Sequence, residues 1–467
     1  MKHALAALIL SCLTLSSIAH ADPPIHLTLH ADHPLNTINP LFFGSNTLFM
    51  YDDKTALADD TFVQRLRDVP IRLLRFPGGD VADNYYWDQH SLDDPKWWPR
   101  NDNPNSADTD SFMTFCHKVG AEPLFVVNLE SGFVHHDLDS AIKRAADWVA
   151  YCRQHDYHVK YWEIGNETFW YHPGKHKRIR VTAAEYGQAF ARFATAMKAA
   201  DPAIQIGAIG LVDPTTSANN TLSDGTTVSP RQPAWWPTVI AAAGPHIDFV
   251  TVHSYPGGEK QTYDYFIHKG VWGGETIPSL RTFLDKTLAR HVPIILTEWN
   301  LSEKSPLRGM ALAQAQTNLL CRFLSAGVDM ACFWPLRLPH VGNHSLLDYR
   351  TFKPHPIYQV FSILSPTLAG GTIISSDSDD PTLFHFAALS ADTLTTILIH
   401  KSTAGDPCKI AIDFKATQVS GEAIVASSLQ SADAHRIPLT CQQNPDGTWT
   451  CDLPPYSICV LKLIRPK

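Results

Sequence analysis

Short apolar stretches rich in β-branched and aromatic residues recur along the chain, between longer segments with helical spacing. Each stretch lacks a polar face, which is typical of a strand buried on both sides in a parallel sheet that helices cover. The stretches are Leu41 to Ser45, Ile71 to Phe76, Pro123 to Asn128, Val159 to Gly165, Gln205 to Gly210, Asp248 to His253, Pro293 to Thr297 and Asp329 to Trp334.

The segments between these strands carry apolar residues three and four positions apart, the spacing of one buried helix face. Strand and helix alternate eight times, which favours a closed β/α barrel over an open doubly wound sheet. We therefore predict an α/β fold of the (β/α)8 TIM-barrel type. The clearest helical segments are Asp59 to Asp68, Asp110 to Lys118, Leu138 to His155, Ala183 to Ala200, Ile277 to His291 and Met310 to Ala326.

The pattern changes after a last helical segment that ends near residue 365. Short strands with alternating apolar and polar residues follow, which is typical of an antiparallel β-sandwich. Residues 25–30 alternate in the same way and precede the barrel. We expect four parts: a signal peptide at 1–21, an N-terminal strand at 22–36 that joins the sandwich, the barrel at 37–365 and a C-terminal β-sandwich domain at 366–467.

The first residues have the pattern of a cleavable secretory signal: Lys2, an apolar run and the small residues Ala19 and Ala21. The run is shorter than the roughly 20 residues that cross a bilayer. We expect a secreted or periplasmic protein with no membrane association after signal cleavage. Disulfides persist in such compartments, and Cys441 and Cys451 flank a turn sequence, so a hairpin would let them face each other.

The formal net charge of the chain is −8, and like charges form no long run. Nucleic acid and anionic membranes attract basic surfaces, so neither is an expected partner. The sequence has neither a Gly-x-Ser-x-Gly elbow nor a phosphate-binding Gly-rich loop, and we expect no cofactor. Histidine pairs such as His135 and His136 lack the carboxylate pattern of metallohydrolases, so no metal site is predicted.

Polar residues collect where the predicted barrel strands end, which is where β/α barrels carry their chemistry. Asn166 and Glu167 follow the fourth strand, and Glu298 ends the seventh. Two carboxylates separated by three strands lie on opposite sides of one central pocket. Hydrolysis of a glycosidic bond needs such a pair, because one carboxyl protonates the leaving oxygen while the other acts at the opposite face of the sugar.

Three sequence motifs carry a resemblance to a known group of enzymes. Residues 161–167, Tyr-Trp-Glu-Ile-Gly-Asn-Glu, and residues 296–300, Leu-Thr-Glu-Trp-Asn, resemble the acid/base and nucleophile strands of the clan A retaining glycoside hydrolases. Residues 74–79, Leu-Arg-Phe-Pro-Gly-Gly, resemble the second-strand motif of the family 51 α-L-arabinofuranosidases. The resemblance covers nearly the whole mature chain in layout, but its specific motifs amount to about 20 residues.

The resemblance implies a role for each matched residue. Glu167 would be the general acid/base and Glu298 the nucleophile of a double displacement, while Asn166 would bind the sugar 2-hydroxyl. Arg75 and Tyr255 would lie beside Glu298 and favour its ionised form. An ion pair of Arg75 with Glu163 inside the barrel is the alternative for that residue.

Several aromatic residues lie in segments that would form the rim of the pocket, and flat sugar faces stack on aromatic rings. Trp299 and Trp334 follow the seventh and eighth strands, and we expect both in the substrate site. His253, two residues before Tyr255, is expected to orient a neighbour there. The other rim candidates are Trp87, Trp97, Trp98, Trp170, Trp235, Trp236 and Trp272.

The sugar is less well defined than the reaction. Family 51 enzymes carry a pocket carboxylate just after the first strand, where this chain has Asn46 and Thr47. An α-L-arabinofuranosidase-like activity on plant or microbial polysaccharide is the leading hypothesis. The alternatives are a β-xylosidase, a β-glucuronidase or an endo-β-glucanase of the same clan, a transglycosylase, and a secreted carbohydrate-binding protein without catalysis.

Overall fold

The computed structural model describes residues 23–94, 103–170, 179–216, 233–269 and 276–466. The predicted signal peptide lies outside these residues, as do Trp97, Trp98 and Trp272. Among the described helices, none is both long and apolar enough to cross a membrane.

Eight parallel strands form a closed barrel, which confirms the predicted fold class. Each strand pairs with the next one along the chain, and the eighth pairs with the first through Phe333 and Ser45. The first strand begins later than the pattern predicts, because Pro40–Phe42 form a 3-10 helix in which proline fixes the backbone. The strands are Gly44–Asn46, Leu73–Phe76, Glu122–Val127, Tyr161–Ile164, Gln205–Gly210, Phe249–Ser254, Ile294–Trp299 and Met330–Phe333.

Helices surround the barrel and bury their apolar faces against the outside of its strands. Thr182 and Glu185 form a capping box at the start of the sixth of these helices, and such a box satisfies backbone donors that have no partner inside the helix. The helices are Lys54–Ala58, Asp60–Asp68, Thr109–Val119, Glu130–Val134, Leu138–Gln154, Ala183–Ala200, Trp235–Ala243, Tyr263–Lys269, Ile277–Leu288, Gly309–Ser325 and Pro356–Leu368.

Apolar side chains fill the lower part of the barrel, including Leu73, Leu124, Phe249 and Ile295. Side chains two residues further along a strand point to the same face. The interior therefore changes to polar groups towards the carboxyl ends of the strands, where Arg75 follows Leu73 by two positions. The apolar layer is the floor of a pocket that opens at this end.

Ten further strands form one continuous, largely antiparallel sheet around a second hydrophobic core. The N-terminal strand Ile25–Thr37 lies in this sheet, antiparallel to Thr372–Ser378 and parallel to Cys408–Asp413. Cys441 and Cys451 are disulfide-bonded across a hairpin, which confirms the pairing expected from the turn. The other strands are Leu383–Ser390, Thr393–His400, Gln418–Ala426, Ala434–Pro438, Cys441–Gln443, Trp449–Leu453 and Ser457–Ile464.

Candidate active site

Glu298 reaches the barrel interior because the seventh strand contains a β-bulge. Leu296 pairs with Val252, but the next partner of the sixth strand, His253, pairs with Glu298, so one extra residue is accommodated at Thr297. A bulge redirects the side chains that follow it. Thr297 and Glu298 consequently both point inward, where Thr297 donates to Glu163 and Glu298 accepts from Arg75.

Glu167 is placed by a tight turn just after the fourth strand ends at Ile164. Gly165 has a φ of 79° and Glu167 a φ of 46°, so both lie in the left-handed region. Glycine adopts this conformation without cost, whereas another residue there is strained by about 1–2 kcal/mol. Strain of this kind is found where a side chain must be aimed at a functional site.

The two glutamates form one pair. An oxygen of Glu167 and an oxygen of Glu298 lie within 4.8 Å of each other. Retaining glycosidases hold their carboxyl groups about 5–5.5 Å apart, whereas inverting enzymes separate them by about 6.5–9.5 Å to admit a water molecule. The side chain of Glu167 is 26% exposed and that of Glu298 only 7%. This close approach of the two oxygens favours a retaining pair over an inverting one, with one accessible and one enclosed carboxylate.

Arg75 is fully buried and joins the two sides of the barrel. Its Nε donates to Glu163 at 2.7 Å and one terminal nitrogen donates to Glu298 at 2.8 Å. The other terminal nitrogen donates to Asn166 at 2.8 Å. Both predicted environments of Arg75 are thus present at once. Because no part of the side chain is exposed, Arg75 is enclosed beside Glu298 and positions Glu298 and Asn166 without being placed to bind substrate itself.

Tyr255 donates a hydrogen bond of 2.6 Å to the second oxygen of Glu298. Burial, and after it the charge of Glu298, raise the pKa of Tyr255 well above its ordinary value, so the phenol keeps its proton. Burial also raises the pKa of Glu298, while the charges of His253 and Arg75 and the Tyr255 hydrogen bond oppose that effect. Burial therefore favours the neutral form of Glu298, whereas His253, Arg75 and Tyr255 favour its ionised form.

His253 lies between the two glutamates. Its Nδ1 is 2.8 Å from Glu167 and its Nε2 is 3.2 Å from the hydroxyl of Thr297. Thr297 donates its only hydroxyl hydrogen to Glu163, so its oxygen accepts from Nε2 of His253. Burial would lower the pKa of His253, but the charges of Glu298 and Glu167 outweigh burial and the pKa lies above its ordinary value. A hydrogen is therefore shared between Nδ1 and Glu167.

Two aspartates that the sequence analysis did not select fix the Asn166 turn. Asp83 accepts from the backbone N–H of Asn166 at 3.0 Å, and Asp80 accepts from its side-chain amide at 3.1 Å. Both lie in the 3-10 helix Asp80–Asn84. Asn166 lies at the site but is only 1% exposed. Its side-chain amide donates to Asp80 and accepts from Arg75.

Trp299 is not in the substrate site, and that prediction is wrong. The bulge before it turns the indole outward, where it is 1% exposed and packs against Phe323, Phe333 and Phe361. Trp334 does lie in the pocket. It is partly exposed, and its ring fits so closely over Gly79 that a Cβ there would be 2.6 Å from the indole.

The remaining rim candidates have different environments. Trp235 and Trp236 are fully buried and donate to barrel carbonyls at Ile209 and Leu211, so they are not rim residues. Trp170 is 41% exposed. It lines a cavity of about 360 Å³ with Glu167, His253 and Tyr255.

A second cavity, of about 230 Å³, is also lined by Tyr255, together with Trp334, Asn300 and Glu303. Tyr255 therefore lines two cavities, and Glu167 lines the first of them.

Glu167, His253 and Glu298 also bring ligand-type atoms within 4.8 Å of one another, a spacing that a metal ion could bridge. Arg75 already neutralises Glu298 at 2.8 Å, and a divalent cation there would face the buried guanidinium. The donor set therefore fits a charged hydrogen-bond network better than a metal centre. His30, Asp32 and His33 form another such group, on the exposed N-terminal strand.

Comparisons with known proteins agree with the fold and the motifs. Residues 65–232 match the family model of the α-L-arabinofuranosidase 1 domain, which includes Arg75, Asn166 and Glu167. The α-L-arabinofuranosidase C of Emericella nidulans is 26% identical over 278 residues, which are 52% of this chain and 51% of that protein. The matched segment thus spans about half the length of this relative.

Solved structures share the complete architecture. The GH51 arabinofuranosidase of Xanthomonas axonopodis superposes with a TM-score of 0.71 at 16% identity, over 94% of this chain and 99% of that one. CelM2, a bifunctional glucanase-xylanase from a metagenome library, superposes with a TM-score of 0.68 at 15% identity, over 96% and 100% of the two chains. At these identities the likeness concerns the fold. In motifs and in fold, the chain is thus similar to the family 51 arabinofuranosidases and to other clan A glycoside hydrolases.

Proposed function

We propose that the chain hydrolyses glycosidic bonds with retention of anomeric configuration, with Glu167 as general acid/base and Glu298 as nucleophile. The observation that carries this proposal is the pair itself: two carboxylates with oxygens within 4.8 Å of each other, at the ends of the fourth and seventh barrel strands. The donors around Glu298 support its role as nucleophile, because Arg75 and Tyr255 each donate to one of its oxygens and favour the ionised form.

In the first step Glu298 attacks the anomeric carbon as the bond to the leaving oxygen breaks. Glu167 gives its proton to that oxygen, and the sugar becomes esterified to Glu298. Arg75 and Tyr255 hold the two oxygens of Glu298 at 2.8 and 2.6 Å, which fixes the direction of attack. As Glu167 loses its proton it becomes negatively charged, and His253 stabilises that charge through its contact with Glu167 at 2.8 Å.

In the second step a water molecule takes the place of the departed group. Glu167, now a carboxylate, removes a proton from the water as its oxygen attacks the anomeric carbon and the ester to Glu298 breaks. The product has the original configuration, Glu298 is a carboxylate again and Glu167 is again protonated. The exposure of Glu167 towards the cavity beside Trp170 gives water access to this side of the sugar.

We propose α-L-arabinofuranosides as the substrate class. The match of residues 65–232 to an α-L-arabinofuranosidase domain and the activity named for the Emericella relative support this choice. One departure remains, because Asn46 occupies the region where family 51 enzymes carry a further acid. Its amide is used inside the barrel, where it donates to the carbonyl of Thr297 at 2.8 Å.

A glucanase or xylosidase activity is the second candidate. It is favoured by Asn46 and by the equally extensive fold likeness to a glucanase-xylanase. A panel of aryl α-L-arabinofuranosides, β-xylosides, β-glucosides and β-glucuronides, together with plant polysaccharides, separates these activities. Proton NMR of the first product formed reports retention or inversion directly. Longer products at high acceptor concentration would identify a transglycosylase, and glycan binding without any cleavage would identify a binding protein.

We also propose that the protein is exported to the periplasm or the medium. The pattern of residues 1–21 supports this location, and so does the Cys441–Cys451 disulfide, since such bonds persist in oxidising compartments. Cell fractionation with N-terminal sequencing of the recovered protein tests it. A chain that begins near Asp22 outside the cytoplasm is the expected result, and an intact first segment in the cytoplasm would contradict it.

A further inference from the structure

A separate cavity of about 240 Å³ lies beside the end of the third barrel strand. Consecutive residues Tyr85, Tyr86 and Trp87 form one wall, and the helix Leu138–Gln154 forms another through Arg144 and Trp148. It shares no lining residue with the two cavities that Tyr255 lines. Its volume is below the roughly 300–1,000 Å³ of sites for drug-sized ligands, which suits a single sugar ring.

The aromatic walls have the character of a sugar-binding surface. Trp87 is partly exposed and stacks parallel to Trp148, with ring centroids 5.9 Å apart. Tyr86 is also partly exposed, and the guanidinium of Arg144 lies 3.7 Å from its ring centre. The C–H face of a sugar packs on such flat rings. The indole N–H of Trp87 donates to the carbonyl of Arg144 at 2.9 Å, and such anchoring reduces the ordering needed when a ligand binds.

Two polar groups of the walls make no hydrogen bond to the described residues, although one of them has an ion-pair partner. The hydroxyl of Tyr85 is buried without a hydrogen bond, and so is one terminal nitrogen of Arg144. The nearest carboxylate to that nitrogen belongs to Asp88, at 3.5 Å. A buried polar group without a partner costs about 1–3 kcal/mol. Hydroxyl groups of a ligand could satisfy both.

Acidic groups outnumber the arginine around the cavity, where Asp88, Asp93 and Asp137 lie near Arg144 and His135. Arg144 and His135 are offset by Asp137 on the lining and by Asp93, which contacts His135 at 2.8 Å. A neutral ligand fits this environment better than an anion such as a uronic acid.

The cavity is connected to the catalytic turn through Asp83. This residue accepts from the N–H of Asn166 at 3.0 Å and lies two positions before Tyr85. Asn128, on the cavity lining, directly follows the third strand, which pairs with the fourth strand, and the turn after the fourth strand carries Glu167. A sugar held here would therefore lie on the same face of the barrel as the catalytic pair.

We propose that this cavity is a second carbohydrate-binding site, which holds one neutral pentose or hexose unit. The rings of Tyr86 and Trp87 pack on the sugar, and Tyr85 and Arg144 bond to its hydroxyls. The choice of a sugar as ligand rests on the proposed function. The unit is either a free product or part of a longer chain.

Calorimetric titration of the full-length Glu298→Gln variant, which binds without turnover, tests the site. The probes are L-arabinose, D-xylose, D-glucose and an arabino-oligosaccharide. We expect two binding events per chain, of which one weakens at least tenfold on adding Trp87→Ala and severalfold on adding Tyr85→Phe. The control Tyr265→Phe, which removes the hydroxyl of a 39% exposed tyrosine outside the cavity lining, should change neither event. Binding of the oligosaccharide alone indicates a chain unit, and binding of the monosaccharides indicates a free product.

A single binding event, or a second event that neither cavity variant weakens, would overturn the inference. Tyr85→Phe guards against loss of folding in Trp87→Ala, since it removes only a hydroxyl without a described partner. In the otherwise unaltered chain, both variants should retain aryl-glycoside hydrolysis. Failure of the proposed function gives a different result from failure of this inference. If only the proposed function is wrong, no aryl glycoside is cleaved, yet Trp87→Ala still abolishes one sugar-binding event.

Discussion

His253 contacts both catalytic candidates: its Nδ1 lies 2.8 Å from an oxygen of Glu167 and 3.5 Å from an oxygen of Glu298. One imidazole therefore feels the charge of both carboxylates, and its protonated form is favoured by each of them. The other ring nitrogen, Nε2, bonds to the hydroxyl of Thr297 at 3.2 Å, which holds the orientation of the imidazole when the charge on Glu167 changes during the reaction. The protonation states of His253, Glu167 and Glu298 therefore depend on one another.

The first prediction concerns the pH dependence of stability. The pKa of His253 is raised in the folded protein, so its contribution is fully present below its unfolded pKa of about 6.5 and is lost as pH rises through the folded pKa. His253→Asn should therefore destabilise the protein more at pH 5 than at pH 9, as measured by urea unfolding. An equal loss at both pH values would contradict the assignment.

His344 is the matched control with the opposite sign. Burial, followed by the charge of Arg308, lowers the pKa of His344 to about 4. The unfolded chain then binds the proton more readily, so stability falls as pH drops from about 6.5 towards 4. His344→Gln should remove that loss. The free energy of unfolding of the variant, compared with that of the unaltered protein, should therefore be more favourable at pH 5 than at pH 8.

The second prediction concerns Tyr255→Phe. A hydrogen bond to a charged group is worth about 1.5–3 kcal/mol, so kcat should fall about 10- to 150-fold, with a smaller change in KM. The lost hydrogen bond lowers the pKa of Glu298 in the native protein, so the acid limb of the pH profile should move to higher pH. An unchanged acid limb would mean that Glu298 does not govern it.

The third prediction concerns the ion network below the site. Glu163→Gln leaves Arg75 with one carboxylate, and loss of one partner of a buried pair costs about 3–5 kcal/mol. Both the melting temperature and kcat should fall, because Arg75 no longer holds Glu298 in place. The control is Asp52→Asn, which breaks another buried pair, with Arg337 at 2.6 Å. It should cost similar stability and leave kcat intact.

The fourth prediction concerns the disulfide, which joins cysteines separated by 10 positions. A loop of about ten residues corresponds to roughly 2–3 kcal/mol in the chain-entropy description. The double variant Cys441→Ser, Cys451→Ser should lower the melting temperature while leaving kcat at 25 °C unchanged. If thiol titration of the denatured, unreduced protein finds both cysteines free, the bond is absent from the protein in solution.

The sequence was sufficient for the architecture and for the position of Glu167 and Glu298 at one end of the barrel. Long buried strands such as Gln205–Gly210 are read directly from their apolar composition, and the barrel places the end of every strand at one face. Glu167 and Glu298 could therefore be expected to lie close together, as they do in the structure. The Arg75 contacts with both Glu163 and Glu298 were each foreseen separately.

Contacts that depend on exact backbone geometry could not be read in this way. Strict alternation in the seventh strand would turn Trp299 inward, and only the bulge at Thr297 turns it outward. Asp80 and Asp83 were missed because they bond to Asn166 across more than 80 positions. The cavity beside Trp87 is formed between elements that the sequence pattern treats separately.

The most direct test of the central claim is the activity of Glu298→Ala with and without azide. The account predicts a loss of kcat of about 10³- to 10⁶-fold, since no nucleophile remains, and substantial recovery when azide enters the vacated space. The glycosyl azide formed should have the configuration opposite to that of the substrate, because a single displacement has occurred. Turnover within tenfold of the unaltered protein, or a loss that azide does not restore, would contradict the role of Glu298 as nucleophile.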